Sequence, residues 1–233
     1  MLRMQCVTIL PNLSNFASLL NTLISGQLLL CFNQTLSARR LIVNYGLASK
    51  YYDLFGSKND VAFYKELALK HGKKALELGV GTARVAIELV RVGVTVWGIG
   101  NSKYMLNVAK EKLEREKASV RKRLILKLAD MRSFRLKEKF PLIYIPSATF
   151  EHCISEKDQK KCLNCIHNTL KSKGILAFDL PKLEPEKPES SWWIDRKETG
   201  DSGEVVRTIF SRRTPKTNIV SLNFFLTFIK KAN

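Results

Sequence analysis

The sequence contains few acidic residues. Its 233 residues include 21 aspartates and glutamates against 39 lysines and arginines, which gives a formal net charge of +18. The first acid is Asp53, and the 52 residues before it carry only four charged side chains, all of them basic. A surplus this large favours polyanions, acidic membranes or acidic substrates as partners, but it describes a surface and does not determine a fold.

The sequence also lacks an uninterrupted hydrophobic run long enough for a membrane span. Residues 16–32 are rich in leucine, but serine, asparagine, threonine, glycine and glutamine interrupt them. A spanning helix needs about 20 mostly apolar residues, so we predict no stable span. Acid-poor, serine-rich leaders occur among targeting peptides, so a targeting role for this segment stays open.

Cysteine is too sparse for a disulfide framework, because a chain of this length has only five cysteines, an odd number. This favours a reducing compartment, and we expect a cytoplasmic protein. Cys162 and Cys165 stand at the spacing of a metal-binding pair with His152, Cys153 and His167 nearby, but the second pair that a zinc site needs is absent. We therefore predict no metal.

Composition and length fit one substantial domain with an extension. Apolar residues make up 45% and charged residues 26%, which excludes a disordered or collagen-like chain. We expect residues 1–45 to form a helical or poorly ordered N-terminal extension and residues 46–181 to form the main domain. Residues 182–233 are predicted to be a connector and an antiparallel β insert that covers the substrate. Either this insert is itself the closing element of the sheet or the two final strands are missing. We expect the second, which would leave strand 175–180 as an exposed edge.

Short apolar runs alternate with helical patterns through the main domain. The runs predict five strands, over residues 74–78, 94–99, 124–129, 142–145 and 175–180. Helix-capping residues precede the helical patterns, at Asn59-Asp60, Ser102 and Ser155. This alternation indicates a doubly wound α/β fold with a mostly parallel, Rossmann-like sheet. After residue 181 no helix separates three further strands, which predicts an antiparallel β meander over 192–196, 205–213 and 219–230.

A glycine-rich turn follows the first of these strands. The strand ends in Glu77-Leu78, and Gly79-Val80-Gly81-Thr82 leads directly into a helix. Glycines permit positive φ and let a ligand approach the backbone, and the helix N-terminus offers free N–H groups. A nicotinamide dinucleotide site would have a further glycine where Arg84 stands, so the turn favours another ligand.

The motifs of this domain together resemble those of class I S-adenosylmethionine-dependent methyltransferases. The resemblance covers roughly residues 45–180, with the motifs in the family's order and spacing. Tyr51-Tyr52-Asp53 is similar to a signature of members that act on small molecules. The other motifs are the glycine-rich strand end at 75–82, the second strand end with Ser102 and Met105, the adenine-binding motif at 129–134 and the fifth strand at 174–179.

The resemblance implies S-adenosylmethionine as cofactor and gives a role to several residues. Gly79 and Gly81 would let the methionine part of the cofactor pass over the loop, and Glu77 would orient its ammonium end. Asp130 would accept a hydrogen bond from the adenine amino group, and the Met131 N–H would contact the ring. Without the resemblance, Glu77 would be a strand-end carboxylate bonded to loop amides and Asp130 a helix or turn cap.

The sequence departs from the family at two positions of the cofactor site. Members usually carry a carboxylate at the end of the second strand that binds both ribose hydroxyls, whereas this chain has Gly100 followed by Asn101. A charge-assisted hydrogen bond is worth about 1.5–3 kcal/mol. Ala83 also replaces the family's third glycine. These changes lead to the hypothesis of weakened cofactor binding, in which Asn101 recovers part of the loss, and to the alternative of a scaffold without turnover.

Methyl transfer from a sulfonium depends mainly on alignment and exclusion of water. A base is needed only for a protonated acceptor, and the candidates are the segment 146–152, with His152 first, and Tyr51 and Tyr52. We expect a small-molecule acceptor that is methylated on oxygen or nitrogen. Trp192 and Trp193 would cover the acceptor pocket or, by the simpler interpretation, pack in the core.

A nucleic-acid substrate is the second choice. Residues 103–139 contain 13 lysines and arginines against five acids, which is typical of nucleic-acid binding as well as of a solvated helix face. However, Ile145-Pro146-Ser147-Ala148 lacks the motifs that accompany methylation of exocyclic amines or of cytosine C5. RNA methylation therefore remains an alternative, which a binding assay across a salt series addresses.

Overall fold

A six-stranded sheet forms the centre of the protein. The structure, a computed structural model, describes residues 6–11, 46–56, 59–180, 190–198, 204–214 and 219–229. The strand order is β1-β6-β5-β2-β3-β4, and β2 to β6 run parallel to one another. The strands are β1 (Cys6–Pro11), β2 (Lys74–Leu78), β3 (Thr95–Gly100), β4 (Leu124–Leu128), β5 (Phe140–Ile145) and β6 (Leu170–Leu180).

Helices connect the parallel strands. Ser102 Oγ accepts a hydrogen bond from Met105 N at 3.4 Å, and Ser155 Oγ accepts one from Asp158 N at 3.1 Å, so both predicted serine caps are confirmed. The helices are α1 (Asn59–Lys70), α2 (Arg84–Arg91), α3 (Lys103–Glu114), α4 (Ala118–Arg121) and α5 (Glu156–Thr169). Two 3₁₀ helices span Leu47–Leu54 and Thr149–His152.

The sheet is buried on both faces, as a doubly wound fold requires. Along β5, Leu142 and Tyr144 belong to one core cluster, with α1, α2 and α3, whereas Ile143 and Ile145 belong to another, with α5. Strand side chains alternate between faces, so these neighbours enter different cores. The predicted α/β fold with a mostly parallel, Rossmann-like sheet is confirmed.

A separate three-stranded antiparallel sheet follows, formed by β7 (Ser190–Glu198), β8 (Glu204–Thr214) and β9 (Ile219–Ile229). The predicted meander is therefore present. The expected core packing of Trp192 is wrong, because its side chain is 63% exposed and lies against Phe210, with ring centroids 4.5 Å apart. The Arg207 guanidinium of β8 lies 4.4 Å from the centroid of the Phe55 ring, which brings the meander against the first 3₁₀ helix.

The strand β1 shows that two expectations are wrong, one about the edge of the sheet and one about the N-terminal extension. It pairs antiparallel with β6, from Cys6 opposite Leu180 to Pro11 opposite Ile175, so β6 is not an exposed edge. Residues 6–11 are thus neither helical nor unpaired, because Val7-Thr8-Ile9 suits an extended backbone and the edge of β6 offers hydrogen-bonding groups. The rest of the N-terminal extension and the connector 182–189 lie outside the described residues. Among the described helices, none is long and apolar enough to cross a membrane.

Removal of residues 1–11 should destabilise the domain. It takes away the ladder hydrogen bonds of a six-residue strand, each worth about 0.5–1.5 kcal/mol net, so we expect a loss of about 2–4 kcal/mol. It also exposes the edge of β6 to other chains, so self-association should increase. Urea denaturation and size-exclusion chromatography test this, with removal of residues 230–233 as control. An unchanged free energy of unfolding would contradict the role of β1.

Candidate functional site

The glycine-rich loop between β2 and α2 lies at the carboxyl edge of the parallel strands. Gly79 and Gly81 have φ of 74° and 53°, and Ala83 has φ of 59° although it carries a side chain. Gly79 N and Val80 N both donate to Ile99 O, at 2.8 and 2.9 Å, which fixes the loop to β3. Within the described part of the chain, the N–H groups of Gly81 and Thr82 make no hydrogen bond. The loop therefore presents unused donors at a helix N-terminus.

Space for a ligand lies at Gly81 and not at Gly79. A Cβ on Gly81 would have its nearest neighbours at 3.7 and 3.8 Å, whereas a Cβ on Gly79 would overlap Thr149 Cγ2. Thr149 begins the second 3₁₀ helix, so the segment after β5 crosses directly over the loop. Gly79 is thus required by its φ and by this contact, and a ligand that follows the loop meets it at Gly81.

The ends of β3 and β4 continue the same edge. A Cβ on Gly100 would lie 3.4 Å from Val80 Cγ1, 3.5 Å from Leu106 Cδ2 and 3.8 Å from Gly81 N, which are ordinary contacts. Gly100 O accepts a hydrogen bond from Ala129 N at 3.0 Å, which places Asp130 on the neighbouring strand end. Asn101 is exposed. The residues predicted at the cofactor site therefore meet along one edge of the sheet.

Asp130 accepts a hydrogen bond from the Arg132 backbone, as in the turn-cap alternative, and it pairs with the Arg132 side chain, which the sequence did not predict. Arg132 donates to its carboxylate from its backbone N at 2.8 Å and from Nε and Nη2 at 2.9 and 2.6 Å, and this pairing lowers the pKa of Asp130. A carboxylate has about four acceptor positions, so Arg132 uses most of them. A further hydrogen bond from an adenine amino group would have to displace Arg132. The Met131 N–H makes no hydrogen bond within the described residues and so offers a free donor.

Two buried carboxylates at strand ends accept hydrogen bonds from tyrosine hydroxyls. Tyr144 Oη donates to Glu77 Oε2 at 2.7 Å, and Tyr64 Oη donates to Asp179 Oδ1 at 2.7 Å. Burial raises the pKa of Glu77 to about 8 despite the Tyr144 hydrogen bond, and burial also raises the pKa of Asp179. Asp179 Oδ2 accepts from Ala148 N at 2.7 Å and so holds the loop after β5.

An ion pair joins α1, α2 and the same loop. Arg84 Nη1 donates to Asp60 Oδ1 at 2.6 Å, Arg84 Nη2 pairs with Asp60 Oδ2, and Nη2 also donates to Ser147 Oγ at 2.8 Å. Ser147 and Ala148 both have left-handed backbones, with φ of 60° and 54°. The bonds from Arg84 and Asp179 hold this strained pair in place.

The Tyr51-Tyr52-Asp53 segment lies on the glycine-rich loop. Asp53 accepts hydrogen bonds from Thr82 Oγ1 at 2.6 Å and from Lys112 Nζ at 2.7 Å, and Lys112 Nζ also donates to Thr82 O at 2.8 Å. Tyr52 is 38% exposed, and the burial of its hydroxyl end raises its pKa. The first 3₁₀ helix is therefore attached to both α2 and α3 beside the loop.

The second 3₁₀ helix carries two titratable groups. His152 has an exposed side chain, but the protein packed around its ring lowers its pKa. Glu151 is half-buried, and burial with the nearby Asp179 charge raises its pKa to about 7. Sequence analysis named the segment and His152 but not Glu151, Asp60, Arg84 or Asp179 as site residues. A sequence signal existed for Asp179, which ends the fifth-strand motif at 174–179, whereas Asp60 was recognised only as a helix-capping residue.

The cysteines near α5 belong to the core. Cys153 and Cys162 are buried in the cluster between β5 and α5, and Cys165 packs against it. Within the described residues, no group of three or more histidine, cysteine or acidic side chains is arranged to hold a metal ion.

These features define a class of fold. A parallel sheet in the order β4-β3-β2-β5-β6, a glycine-rich turn after β2 and a donor-lined edge beside β3 and β4 are the arrangement of class I methyltransferases. Residues 75–174 match the family model described as a methyltransferase domain. The chain therefore contains a region that matches a methyltransferase domain, and its fold is that of class I S-adenosylmethionine-dependent methyltransferases.

A curated relative and several solved structures are similar. A Geobacillus sp. (strain WCH70) protein that carries a methyltransferase name is 24% identical over 116 residues, which are 50% of this chain and 45% of that protein. The match thus spans less than half the length of that relative. The CcbJ methyltransferase from Streptomyces caelestis has a TM-score of 0.61 at 20% identity, with 79% of each chain covered.

Two further structures with a similar fold are of N-methyltransferases. The sugar N-methyltransferase KedS8 from Streptoalloteichus sp ATCC 53650 has a TM-score of 0.59 at 15% identity and covers 83% of this chain and 81% of its own. The glycopeptide N-methyltransferase MtfA in complex with S-adenosylmethionine has a TM-score of 0.51 at 20% identity, over 71% of this chain and 76% of its own. At these identities the likeness establishes a shared fold.

Glu77→Gln should change the pH dependence of stability. The native pKa of about 8 lies above the ordinary 4.5, so the unfolded chain loses this proton first and stability falls as pH rises from about 4.5 to 8. Glutamine has no such titration and still accepts from Tyr144. We expect the variant to gain up to about 3 kcal/mol over the wild type near pH 8, after about 1 kcal/mol is lost to its buried amide N–H groups, and to gain nothing near pH 4.5.

Urea denaturation between pH 4.5 and 8.5 measures this difference. Glu111→Gln, at an exposed position on α3, is the control and should track the wild type. If the free energy of unfolding changed with pH in the same way for the wild type and Glu77→Gln, burial of Glu77 would not make stability depend on pH as expected.

Proposed function

We propose that this chain is an S-adenosylmethionine-dependent methyltransferase that transfers a methyl group to a nitrogen or oxygen atom of a small-molecule acceptor. The observation that carries the proposal is the row of N–H donors of Gly81, Thr82 and Met131 along one sheet edge, which make no hydrogen bond within the described residues, with no close contact at the Cβ positions of Gly81 and Gly100. The family match over this region supports the cofactor. The similarity to glycopeptide and sugar N-methyltransferases supports a small acceptor.

The residues at this edge fit the cofactor. The N–H groups of Gly81 and Thr82 at the positive end of α2 would hold its carboxylate. Glu77 would accept a hydrogen bond from its ammonium, and the positive charge of that group would favour the ionised form of Glu77. The Met131 N–H would bind the adenine ring, and Gly100 would face the ribose without the usual carboxylate. When bound, the cofactor supplies a methyl group on a positively charged sulfur, which needs alignment more than covalent help.

Two segments lie beside this edge and would exclude water from a bound cofactor and acceptor. The bonds of Asp53 to Thr82 and Lys112 hold the first 3₁₀ helix on the loop, and Arg207 from the meander lies over Phe55. A closed site strengthens electrostatic interactions within it. Tyr52 on this helix and His152 across the edge stay candidates for contacting the acceptor, and the lowered pKa of His152 keeps its imidazole neutral at pH 7.

The side chains at this edge do not form the basic surface that a nucleic acid needs. Among the described residues, Lys112 pairs with Asp53 and Arg84 pairs with Asp60, so these two cations are already neutralised, whereas the chain as a whole carries +18. Phosphate groups are bound by lysine and arginine side chains that are free to pair with them. This arrangement favours a small acceptor over a nucleic acid.

Gly100→Asp should strengthen cofactor binding. A Cβ at this position makes only ordinary contacts, so the side chain that members of the family use for the ribose hydroxyls can begin here without a clash. At about 1.5–3 kcal/mol for a charge-assisted hydrogen bond, we expect an affinity gain of about 10- to 100-fold over a weakly binding wild type. Calorimetric titration of S-adenosylmethionine into both proteins measures it.

Asn164→Asp, which adds the same charge at an exposed position on α5, is the matched control and should not change the affinity. Equal, tight binding by the wild type and Gly100→Asp would refute the hypothesis of weakened affinity. Failure of both proteins to bind the cofactor would refute the proposed function and favour a scaffold role.

A further inference from the structure

We infer that the acceptor is an amine, and that Glu151 binds its ammonium form and takes the proton that must leave before methylation. The inference rests on the proposed function and names its substrate class. It begins from the position of Glu151 on the 3₁₀ helix Thr149–His152, whose first residue packs on Gly79 of the glycine-rich loop. This helix therefore stands beside the edge where the cofactor would present its methyl group.

The segment that carries Glu151 has a fixed place. Glu151 N donates to Ala148 O at 3.0 Å, and Ala148 N in turn donates to Asp179 Oδ2 at 2.7 Å. Arg84 holds the preceding residue, Ser147, through a 2.8 Å hydrogen bond. A base must be held close to its productive position to act, and these bonds do so without using the Glu151 side chain.

The Glu151 carboxylate lacks a partner of opposite charge. It is half-buried, it makes no hydrogen bond or ion pair within the described residues, and the charged group that faces it is another carboxylate, Asp179 on β6. Both oxygens of Asp179 are already used, by Tyr64 and Ala148. A half-buried carboxylate in this position is unfavourable until a cation arrives. An ammonium group supplies that charge and its N–H donors, whereas a hydroxyl supplies no charge.

His152 is less suited to this role. It follows Glu151 in the same helix, but its side chain is exposed, and desolvation alone accounts for the direction of its pKa shift. An imidazole close to the carboxylates of the edge would have its pKa raised by them. His152 therefore shows no electrostatic coupling to the carboxylates of the site, whereas Glu151 lies beside Asp179.

In the proposed reaction, proton transfer to Glu151 precedes methyl transfer. The ammonium nitrogen gives one proton to the Glu151 carboxylate, which frees its electron pair. That pair forms the new bond to the methyl carbon of the sulfonium donor, while the carbon–sulfur bond breaks and its electrons remain on sulfur. The carboxylic acid of Glu151 then releases the proton to water. Because the pKa of Glu151 is near 7, it can accept and release a proton at neutral pH.

The first test measures binding without cofactor. Phenethylamine, cyclohexylamine and glucosamine are titrated calorimetrically into the chain at pH 8, beside phenethyl alcohol, cyclohexanol and glucose. We expect the amines to bind more tightly than their hydroxyl counterparts, and Glu151→Gln to weaken amine binding at least tenfold while leaving the alcohols unchanged. Glu156→Gln, at an exposed position on α5, is the control and should bind the amines as the wild type does.

The second test measures transfer of a labelled methyl group from S-adenosylmethionine to the same six compounds. We expect methylation of amines, with kcat/KM rising through an apparent pKa of about 7. Glu151→Gln should lose this rise, Glu151→Asp should recover part of the rate, and His152→Asn should keep the rise. Circular dichroism of each variant checks that it is folded.

Equal amine affinity in wild type and Glu151→Gln overturns the inference. So does methylation confined to alcohols, an unchanged pH profile in Glu151→Gln, or no methylation of any compound by a chain that binds the cofactor. Absence of cofactor binding in the wild type and in Gly100→Asp instead refutes the proposed function. The two failures are therefore distinguished by the calorimetric titration of the cofactor alone.

Discussion

The ion pair between Arg84 and Asp60 is the interaction on which the carboxyl edge of the sheet depends. Their side chains are only 14% and 1% exposed, and Arg84 also holds Ser147. Three segments, α1, α2 and the loop after β5, thus meet at one guanidinium. Loss of one partner of a buried pair costs about 3–5 kcal/mol, because the other charge is left uncompensated. Arg84 also opposes, through its charge, the burial that raises the pKa of Glu77.

The other two buried carboxylates are held by hydroxyl groups and not by cations. Tyr144 donates to Glu77, Tyr64 donates to Asp179, and the two tyrosine rings pack with centroids 5.2 Å apart. A hydroxyl satisfies the hydrogen bonding of a carboxyl group without supplying a positive charge, so burial keeps the pKa of both groups raised. A cation bound beside them would favour their ionised forms, and this links the packing of the core to the proposed chemistry.

The periodicity of the sequence predicts the sheet and its covering helices because each apolar run is long enough to favour one type of secondary structure by itself. Ser102 and Ser155 were recognisable as caps for the same reason, since a cap depends on local spacing. The strand Cys6–Pro11 was missed because its partner, β6, lies far along the chain and six residues give a weak local signal. Residues 170–174, which continue β6 toward its start, were missed because Gly174 suggested a helix stop.

The candidate site, like the fold, could be predicted from the sequence only in part. The motif positions Glu77, Gly81 and Asp130 meet at one edge because parallel strands place their carboxyl ends together. What the sequence could not predict are contacts that depend on side-chain rotamers. Arg132 occupies the Asp130 carboxylate from two residues away, and Thr149 fills the space over Gly79 from another strand end. Such contacts depend on the three-dimensional packing, which no local pattern records.

The contrast between the net charge of the chain and the charge of this edge has a physical consequence for the acceptor. At physiological ionic strength charges on an exposed surface are screened beyond about 8 Å, so the lysine-rich exterior acts weakly on a small molecule inside the site. Glu77 and Asp179 are buried, where screening is much smaller, so a cation bound within a few ångströms would strongly favour their ionised forms. The residues within contact distance therefore decide which acceptor is bound. A basic exterior is compatible with selection of a cation, and the excess of lysine and arginine in the sequence gives no guide to the substrate.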